Sequence, residues 1–176
     1  MSTHYTPLAK SLHWLMALMI LGLLALGFYM SDLPLSPEKL QLYSWHKWAG
    51  VTVFVLVWLR LAWRITHRPP ALPDNMSPLM QWGAHAGHLM LYALMIAIPL
   101  SGWLMSSAKG VQTVWFGVWP IPDLIGKNKE LGRSLAELHE VLSIGLLLLI
   151  AGHAAAALFH HFFHKDDTLR RMLPSR

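Results

Sequence analysis

The sequence predicts an all-α integral membrane protein, a bundle of four transmembrane helices. Of its 176 residues, 55% are hydrophobic and only 13% are charged, about half the charged fraction of a typical soluble domain. The mean hydropathy is +0.41. The apolar residues gather in four segments, each close to or above the roughly 20 residues that a helix needs to cross a bilayer. A chain of this length predicts one membrane domain, residues 1–176, with short connections.

The four helices are predicted at about residues 8–30, 40–66, 78–105 and 133–164. The first apolar run is longer than the core of a signal peptide, so we expect it to remain as a span. Proline and polar residues mark the first two linkers, which read SDLPLSPEK and THRPPALPDNMSP. The third linker contains VWFGVWPIP, whose tryptophans suit a segment at the lipid–water interface.

Charge and cysteine content exclude several classes of protein. The net charge of +5 does not predict a nucleic-acid partner, because the basic residues stand at the ends of apolar segments, as in membrane proteins. The chain has no cysteine, which excludes cysteine-ligated iron–sulfur clusters, covalent c-type haem, disulfides and thiol catalysis. The expected partner of this surface is the lipid bilayer.

An even number of spans places both termini on one side of the membrane. Eight lysines and arginines belong to that side and six to the other, where acidic residues balance them. Cytoplasmic segments of membrane proteins carry the excess of basic residues. We therefore expect both termini in the cytoplasm.

The fourth helix carries two histidines, His139 and His153, fourteen residues apart. That separation corresponds to a rise of about 21 Å, and the accumulated rotation falls only about 40° short of four turns. Both imidazoles therefore leave one face of the helix, one near each side of the bilayer core. Each is a candidate axial ligand of a haem iron, and two haems would form an electron path across the membrane.

Depth in the membrane predicts a partner for each of these histidines. His46 begins the second helix on the outer side and matches His139, whereas His13 begins the first helix on the inner side and matches His153. Each pair can hold one non-covalent b-type haem between two helices, so the predicted fold is a four-helix bundle binding two haems. The alternative is that they are interfacial or hydrogen-bonded core histidines, which is costly for His153 between LLLLIAG and AAAAL.

Arg60 follows His46 by fourteen residues, so it reaches the depth of the inner haem on nearly the same helix face. It is a candidate partner of the haem propionates, or an ordinary arginine at the cytoplasmic end of a span. Glycines on the helices that carry candidate ligands would let a porphyrin approach the backbone; these are Gly22, Gly50 and Gly145.

We expect three further histidines near the cytoplasmic side of the membrane. For His85 and His88, on the third helix, we expect contact with a haem propionate or a quinone first, axial ligation in place of His13 second, and an interfacial position third. His160 follows His153 by seven residues, about two turns, so it faces the ligand side and is a candidate hydrogen-bond donor to a quinone carbonyl.

Five motifs resemble the small bacterial cytochrome b561 family. They are SLHW at 11–14, LYSWHKWAG at 42–50, AGHLMLYALM at 86–95, ELHEVL at 137–142 and GHAAAALFHHFFHKDDTLRRM at 152–172. The resemblance spans essentially the whole chain. It implies four transmembrane helices in a bacterial inner membrane, two b haems and ubiquinone as a redox partner.

By the same resemblance, His13, His46, His139 and His153 fall on the ligand positions of the family, in agreement with the pairing by depth. The resemblance also implies an oxidoreductase that oxidises periplasmic superoxide to dioxygen and passes the electrons to the ubiquinone pool.

An anionic donor such as superoxide requires a positive approach to the outer site. Lys47, directly after His46, is the candidate residue, with further basic residues near it in sequence. Acidic residues share that face, namely Asp123, Glu130, Glu137 and Glu140. Quinone reduction needs protons, which His85, His88 and His160 are placed to relay.

Three functional hypotheses follow from the sequence. The first is a superoxide:ubiquinone oxidoreductase. The second is an electron-transfer subunit that docks a periplasmic dehydrogenase, hydrogenase or redox carrier and has no substrate of its own. The third is a haem-free membrane protein that uses its histidines for metal binding or transport.

Overall fold

Four long helices dominate the structure, a computed structural model that describes residues 4–73 and 76–173. They are α1 (Pro7–Asp32), α2 (Pro37–Thr66), α3 (Pro78–Ala108) and α4 (Lys129–Phe159). A π-helical turn, His160–His164, continues α4, and a short 3-10 turn, Arg170–Met172, follows it.

All four long helices are long and apolar enough to cross a membrane, so the predicted all-α membrane fold is confirmed. The organisation as one domain stays a prediction. Arg176, one of the basic residues counted on the side of the termini, lies outside the described residues.

Polar caps decide where the helices begin. Thr6, Ser36 and Ser77 each accept a hydrogen bond from the backbone three residues on, and each precedes a proline in the first turn. Asn128 caps α4 in the same way through Leu131 N. Because the cap and first turn are polar, α2 and α4 begin three and four residues before the starts expected from hydropathy, at Pro37 and Lys129.

The helices pack in the order of the chain: α1 against α2, α2 against α3, and α3 against α4. The buried core lies at mid-height and is small; its members are Met16, Ile20, Val53, Val57, Met95 and Leu146. Large apolar side chains cover the outside of the helices, as expected where lipid replaces water. Within the described residues, α4 has no comparably extensive contact with α1 or α2.

The third linker forms a small antiparallel hairpin, β1 (Val114–Trp115) and β2 (Trp119–Pro120), which the sequence analysis did not predict. Phe116 and Gly117 at its tip both have positive φ, at 51° and 71°, as a type I′ turn requires. The hairpin is fastened to α2, because Trp48 Nε1 donates to Val114 O at 2.6 Å. Trp115 Nε1 donates in return to Trp48 O at 3.2 Å.

The segment after α4, residues 165–173, returns across the end of the bundle where α1 begins; we call it the return segment. Lys10 Nζ donates to Leu173 O at 2.8 Å and Trp14 Nε1 to Met172 O at 2.9 Å. The return is made possible by Lys165, whose left-handed backbone (φ 52°) ends the helix. This end of the bundle is thereby closed by the chain itself.

Candidate functional site

Two histidine rings face each other between α2 and α4 near the hairpin. The ring centroids of His46 and His139 are 6.3 Å apart, with an angle of 73° between the ring planes. We call these residues the outer pair. His139 Nδ1 lies 3.0 Å from both Ile98 O and Ser101 Oγ of α3.

A second group of histidines surrounds His153, which lies fourteen residues beyond His139 on α4. The centroids of His13 and His153 are 6.2 Å apart at 61°, and we call these residues the inner pair. His88 of α3 adds a third ring, 5.6 Å from His153. The structure thus brings together the rings that depth had matched, while iron ligation by them stays a prediction.

The spacing of both pairs fits two axial ligands on one iron. An imidazole nitrogen lies about 2 Å from a bound metal and its ring centroid about 1 Å further, so opposed imidazoles have centroids about 6 Å apart. The observed values of 6.2 and 6.3 Å agree. The paired rings also lie between helices that are not in close packing, α4 opposite α1 and α4 opposite α2, as a flat macrocycle requires.

The two pairs differ in the hydrogen bonding of the ring nitrogen Nδ1. A carbonyl oxygen only accepts, so His139 Nδ1 carries the proton that it donates to Ile98 O, and its Nε2 keeps a lone pair for a metal. At the inner pair, an Arg60 guanidinium nitrogen lies 3.1 Å from His13 Nδ1, which must accept because arginine only donates. His13 therefore binds iron through Nε2 only if this contact with Arg60 is broken.

Two arginines line a pocket beside the inner pair. Arg60 and Arg64 lie 5.7 and 5.9 Å from the centroid of the Tyr92 ring, a cation–π distance for both. Among the described residues, neither guanidinium forms an ion pair with a carboxylate. The pocket is lined by Tyr5, Ala9, Arg60, Trp63, Arg64, His67, Pro69, Tyr92 and Met172. It offers positive charge to an anionic group such as a haem propionate.

The other histidines singled out in the sequence are placed differently. His85 is exposed, and its Nδ1 lies 2.7 Å from Gln81 O on its own helix. His160 is buried in the π-helical turn, where its Nδ1 lies 2.6 Å from Asp166 Oδ2 in the return segment. Burial alone would raise the pKa of Asp166, but hydrogen bonds from Thr168 and His160 outweigh it and hold that pKa below its ordinary value.

Lys47 is part of the loop attachment beside the outer pair. Its ammonium donates to Ser106 Oγ at 2.6 Å and to Val111 O at 3.1 Å. Lys109, the residue that follows α3, lies close enough to act electrostatically on both Lys47 and His139, and Asp123 also acts on Lys47. The Lys127 side chain crosses Gly110 at the foot of the hairpin. Positive charge therefore collects on this face, although Lys47 itself is held by the loop.

Sequence reasoning missed several residues around the rings. A Cβ at Gly102 would lie 3.1 Å from His139 Cε1, and one at Gly27 would lie 3.4 Å from His46 Cε1. The sequence offered no signal for them, because glycine is common in membrane helices. A Cβ at the three glycines named from the sequence (Gly22, Gly50 and Gly145) would contact no described atom within 4 Å, so their role stays a prediction.

The described residues also bear on the haem-free hypothesis. In residues 4–73 and 76–173, no three His, Cys, Asp or Glu side chains come close enough to form a metal-ion site. The histidines are instead arranged in facing pairs, which suits a metal held by a macrocycle with two axial positions.

Comparison with known proteins shows which family the chain is similar to. The sequence profile described as prokaryotic cytochrome b561 matches residues 4–175. Cytochrome b561 homolog 2 of Escherichia coli is 34% identical over 176 residues, covering 96% of this chain and 90% of that protein. The probable superoxide oxidase CybB of Yersinia pestis is 29% identical over 184 residues, covering 100% and 99%. Cytochrome b561 homolog 1 of Escherichia coli is 31% identical over 141 residues, covering 80% of each.

The family profile matches nearly the whole chain, and the first of these relatives is more than 30% identical over nearly all of it. This multi-pass bacterial membrane protein therefore belongs to the prokaryotic cytochrome b561 family, whose members bind b-type haem and transfer electrons in membranes.

Proposed function

We propose that this protein carries electrons across the bacterial inner membrane, from superoxide on the periplasmic side to ubiquinone near the cytoplasmic side. It does so as a single membrane domain with two b haems and with both termini in the cytoplasm. The observation that carries the proposal is the pair of facing imidazoles at each of two depths, set by His139 and His153. Their fourteen-residue separation on one helix corresponds to about 21 Å.

Each site is assigned its own residues. His46 and His139 hold the outer haem, and His13 and His153 hold the inner one. A b haem supplies a one-electron carrier whose potential depends on its axial ligands and surroundings. With the inner haem bound, Arg60 would leave His13 and pair with a propionate. His88, beside the inner pair, and His85, three residues before His88 on α3, would contact a propionate or the quinone.

The donor side needs no acid or base in this scheme. Two superoxide anions each give up one electron and leave as two molecules of dioxygen. Positive charge from Lys47, Lys109 and Lys127 attracts the anion to the outer pair. The name of the Yersinia pestis relative, a probable superoxide oxidase, supports this choice of donor.

The acceptor side does need protons, because ubiquinone takes up two electrons and two protons to become ubiquinol. His160 lies seven residues beyond His153, in the π-helical turn that continues α4, about 10 Å further along the helix axis, and it is paired with Asp166 at 2.6 Å. A carboxylate that accepts from Nδ1 fixes the ring and leaves Nε2 free to hydrogen-bond a carbonyl and transfer a proton.

The test is to expose the purified protein, with bound haem quantified, to enzymatically generated superoxide in the presence of ubiquinone. We expect reduction of two b haems, followed by their reoxidation with one ubiquinol formed for every two superoxide anions consumed. Superoxide dismutase should abolish both steps. Two haems that dithionite reduces and superoxide does not would favour the docking subunit instead. Absence of haem would overturn both hypotheses.

A further inference from the structure

Helix α3 carries neither member of the outer pair, yet one of its turns, residues 98–102, contacts His139 directly. Ile98 O and Ser101 Oγ both lie 3.0 Å from His139 Nδ1. Ser101 is buried, with 4% of its surface exposed, so its hydroxyl is not shared with solvent.

The hydrogen-bond roles in this turn follow from chemistry. Ser101 Oγ lies 2.8 Å from Ile98 O, to which its hydroxyl donates. The lone pairs of the same Oγ remain available to His139 Nδ1–H, which also points at Ile98 O. The proton is therefore held on Nδ1 by two acceptors, and the lone pair of the ring is held on Nε2.

Glycine at position 102 lets the ring lie against this turn. A Cβ there would lie 3.1 Å from His139 Cε1 and 3.3 Å from Nδ1, closer than nine in ten contacts of real Cβ atoms. An alanine would therefore displace the ring or the helix by a few tenths of an ångström. The close approach and the hydrogen bonds are properties of one and the same turn.

The other ring of the outer pair, that of His46, has a different environment. His46 Nδ1 is buried, and no described residue gives it a hydrogen-bond partner. Within the part of the chain that the structure describes, His139 is thus the one imidazole of the outer pair that is oriented by hydrogen bonds through Nδ1, and its two acceptors both belong to α3.

We propose that residues 98–102 of α3 position His139 and thereby set the reduction potential of the outer haem. This rests on the two-haem assignment above. A histidine that donates Nδ1–H is a more basic ligand through Nε2 and favours the ferric state, which lowers the potential. Ser101 and Gly102 are positioning residues, since they act through His139.

The experiment uses the haem-loaded protein and compares Ser101→Ala and Gly102→Ala by redox titration and by electron paramagnetic resonance of the ferric haems. Ser134→Ala is the control for the first, because Ser134 bonds only a carbonyl of its own helix and is exposed. Gly83→Ala is the control for the second. Gly83 lies on the same helix as Gly102, and a Cβ there would contact no described atom within 4 Å. His46→Ala identifies the potential of the outer haem by its loss.

We expect Ser101→Ala to raise the potential of the outer haem alone, because Nδ1–H loses one of two acceptors. Gly102→Ala should alter the resonance signal of that same haem, or release it, with Gly83→Ala and Ser134→Ala unchanged. The proposal would be overturned if Ser101→Ala had the reduction potentials and resonance signals of the parent, or if it shifted the potentials of both haems equally. This test holds even if Gly102→Ala does not fold. A parent protein with fewer than two haems would instead contradict the proposed function.

Discussion

The paired histidines differ most in the hydrogen bonding of the ring nitrogen Nδ1. His139 donates from Nδ1 to Ile98 O, whereas His13 accepts at Nδ1 from Arg60. Because a histidine that binds metal through Nε2 donates through Nδ1, the outer pair is ready for iron at its α4 member. At the inner pair, Arg60 has to turn away from His13, and the propionate of the proposed inner haem gives it a partner.

The charge of Arg60 predicts an effect on the inner potential. A cation beside a haem disfavours the ferric state, so Arg60→Gln should lower the potential of the inner haem by an amount on the order of tens of millivolts. Redox titration of the purified protein measures it. Arg68→Gln is the control, because Arg68 carries the same charge on the exposed linker after α2. An unchanged inner potential in Arg60→Gln would exclude the propionate role.

The lysines near the outer pair predict that the rate of haem reduction by superoxide depends on ionic strength. Lys109→Glu should slow the second-order reduction of the haems by superoxide by about tenfold and weaken its dependence on ionic strength. Rapid-mixing absorbance spectroscopy measures both quantities. Arg68→Glu, with the same change of charge at the side of the termini, should leave the rate as in the parent. If the two variants behaved alike, long-range steering by this face would be wrong.

The role proposed for His160 predicts that its substitution slows ubiquinone reduction and leaves haem reduction by superoxide unchanged. His160→Gln should slow haem reoxidation by ubiquinone about tenfold or more, since a general acid contributes roughly a hundredfold or more, while both haem spectra and reduction by superoxide persist. His164→Gln is the matched control, because His164 is exposed and its ring lies 5.1 Å from that of His160. Normal reoxidation in His160→Gln would remove this residue from the quinone reaction.

The helix rise explains why histidine placement was predictable. A fixed 1.5 Å per residue sets depth, and depth alone matched His46 with His139 and His13 with His153. The contacts of Gly27, Gly102 and Arg60 depend on how each helix is rotated and how closely it packs. Those quantities come from neighbouring helices, so no local pattern in the sequence reports them.

Among the elements, the helix starts and the ends of the bundle were the least predictable from hydropathy. Ser36–Pro37 and Asn128 are cap signals in polar surroundings, which an apolar segment does not include. The hairpin depends on hydrogen bonds from Trp48 and Trp115 across 66 and 67 positions of the chain. The return segment depends on Lys10 and Trp14, which stand at the opposite end of the sequence.

The return segment predicts a pH-dependent stability through Asp166. Its pKa lies below the ordinary value, so its ionised form stabilises the fold at neutral pH, and this contribution is lost as pH falls through the folded pKa. Asp166→Asn should therefore lower the stability by about 1–2 kcal/mol at pH 7. Thermal unfolding should show the stabilities of the parent and the variant converging at acidic pH, once the carboxyl group of Asp166 is protonated in the folded protein.

Asp167→Asn is the control for this change. Asp167 is exposed and makes only a 3.7 Å pair with Arg170, so its loss should have little effect at any pH. A difference in stability between Asp166→Asn and the parent that stayed constant from neutral to acidic pH would show that the ionised carboxylate is not what stabilises the return segment.

At the scale of the whole molecule, the order of packing explains how four helices make two separate sites. Each helix packs on the next along the chain, and α4 faces α2 at one depth and α1 at the other. The same helix therefore supplies one histidine to each pair. In the orientation that we propose, with both termini in the cytoplasm, the outer pair and the hairpin face the periplasm and the return segment closes the cytoplasmic end.

The central claim is that these two pairs hold two separate haems, and haem stoichiometry tests it most directly. Haem bound per protein should be two in the parent and one in His46→Ala and His139→Ala, with the same remaining spectrum in both. His13→Ala and His153→Ala should also retain one haem and share the other spectrum. His164→Ala, outside both pairs, should retain two. A parent with a single haem, or variants of one pair that retain different haems, would contradict the account.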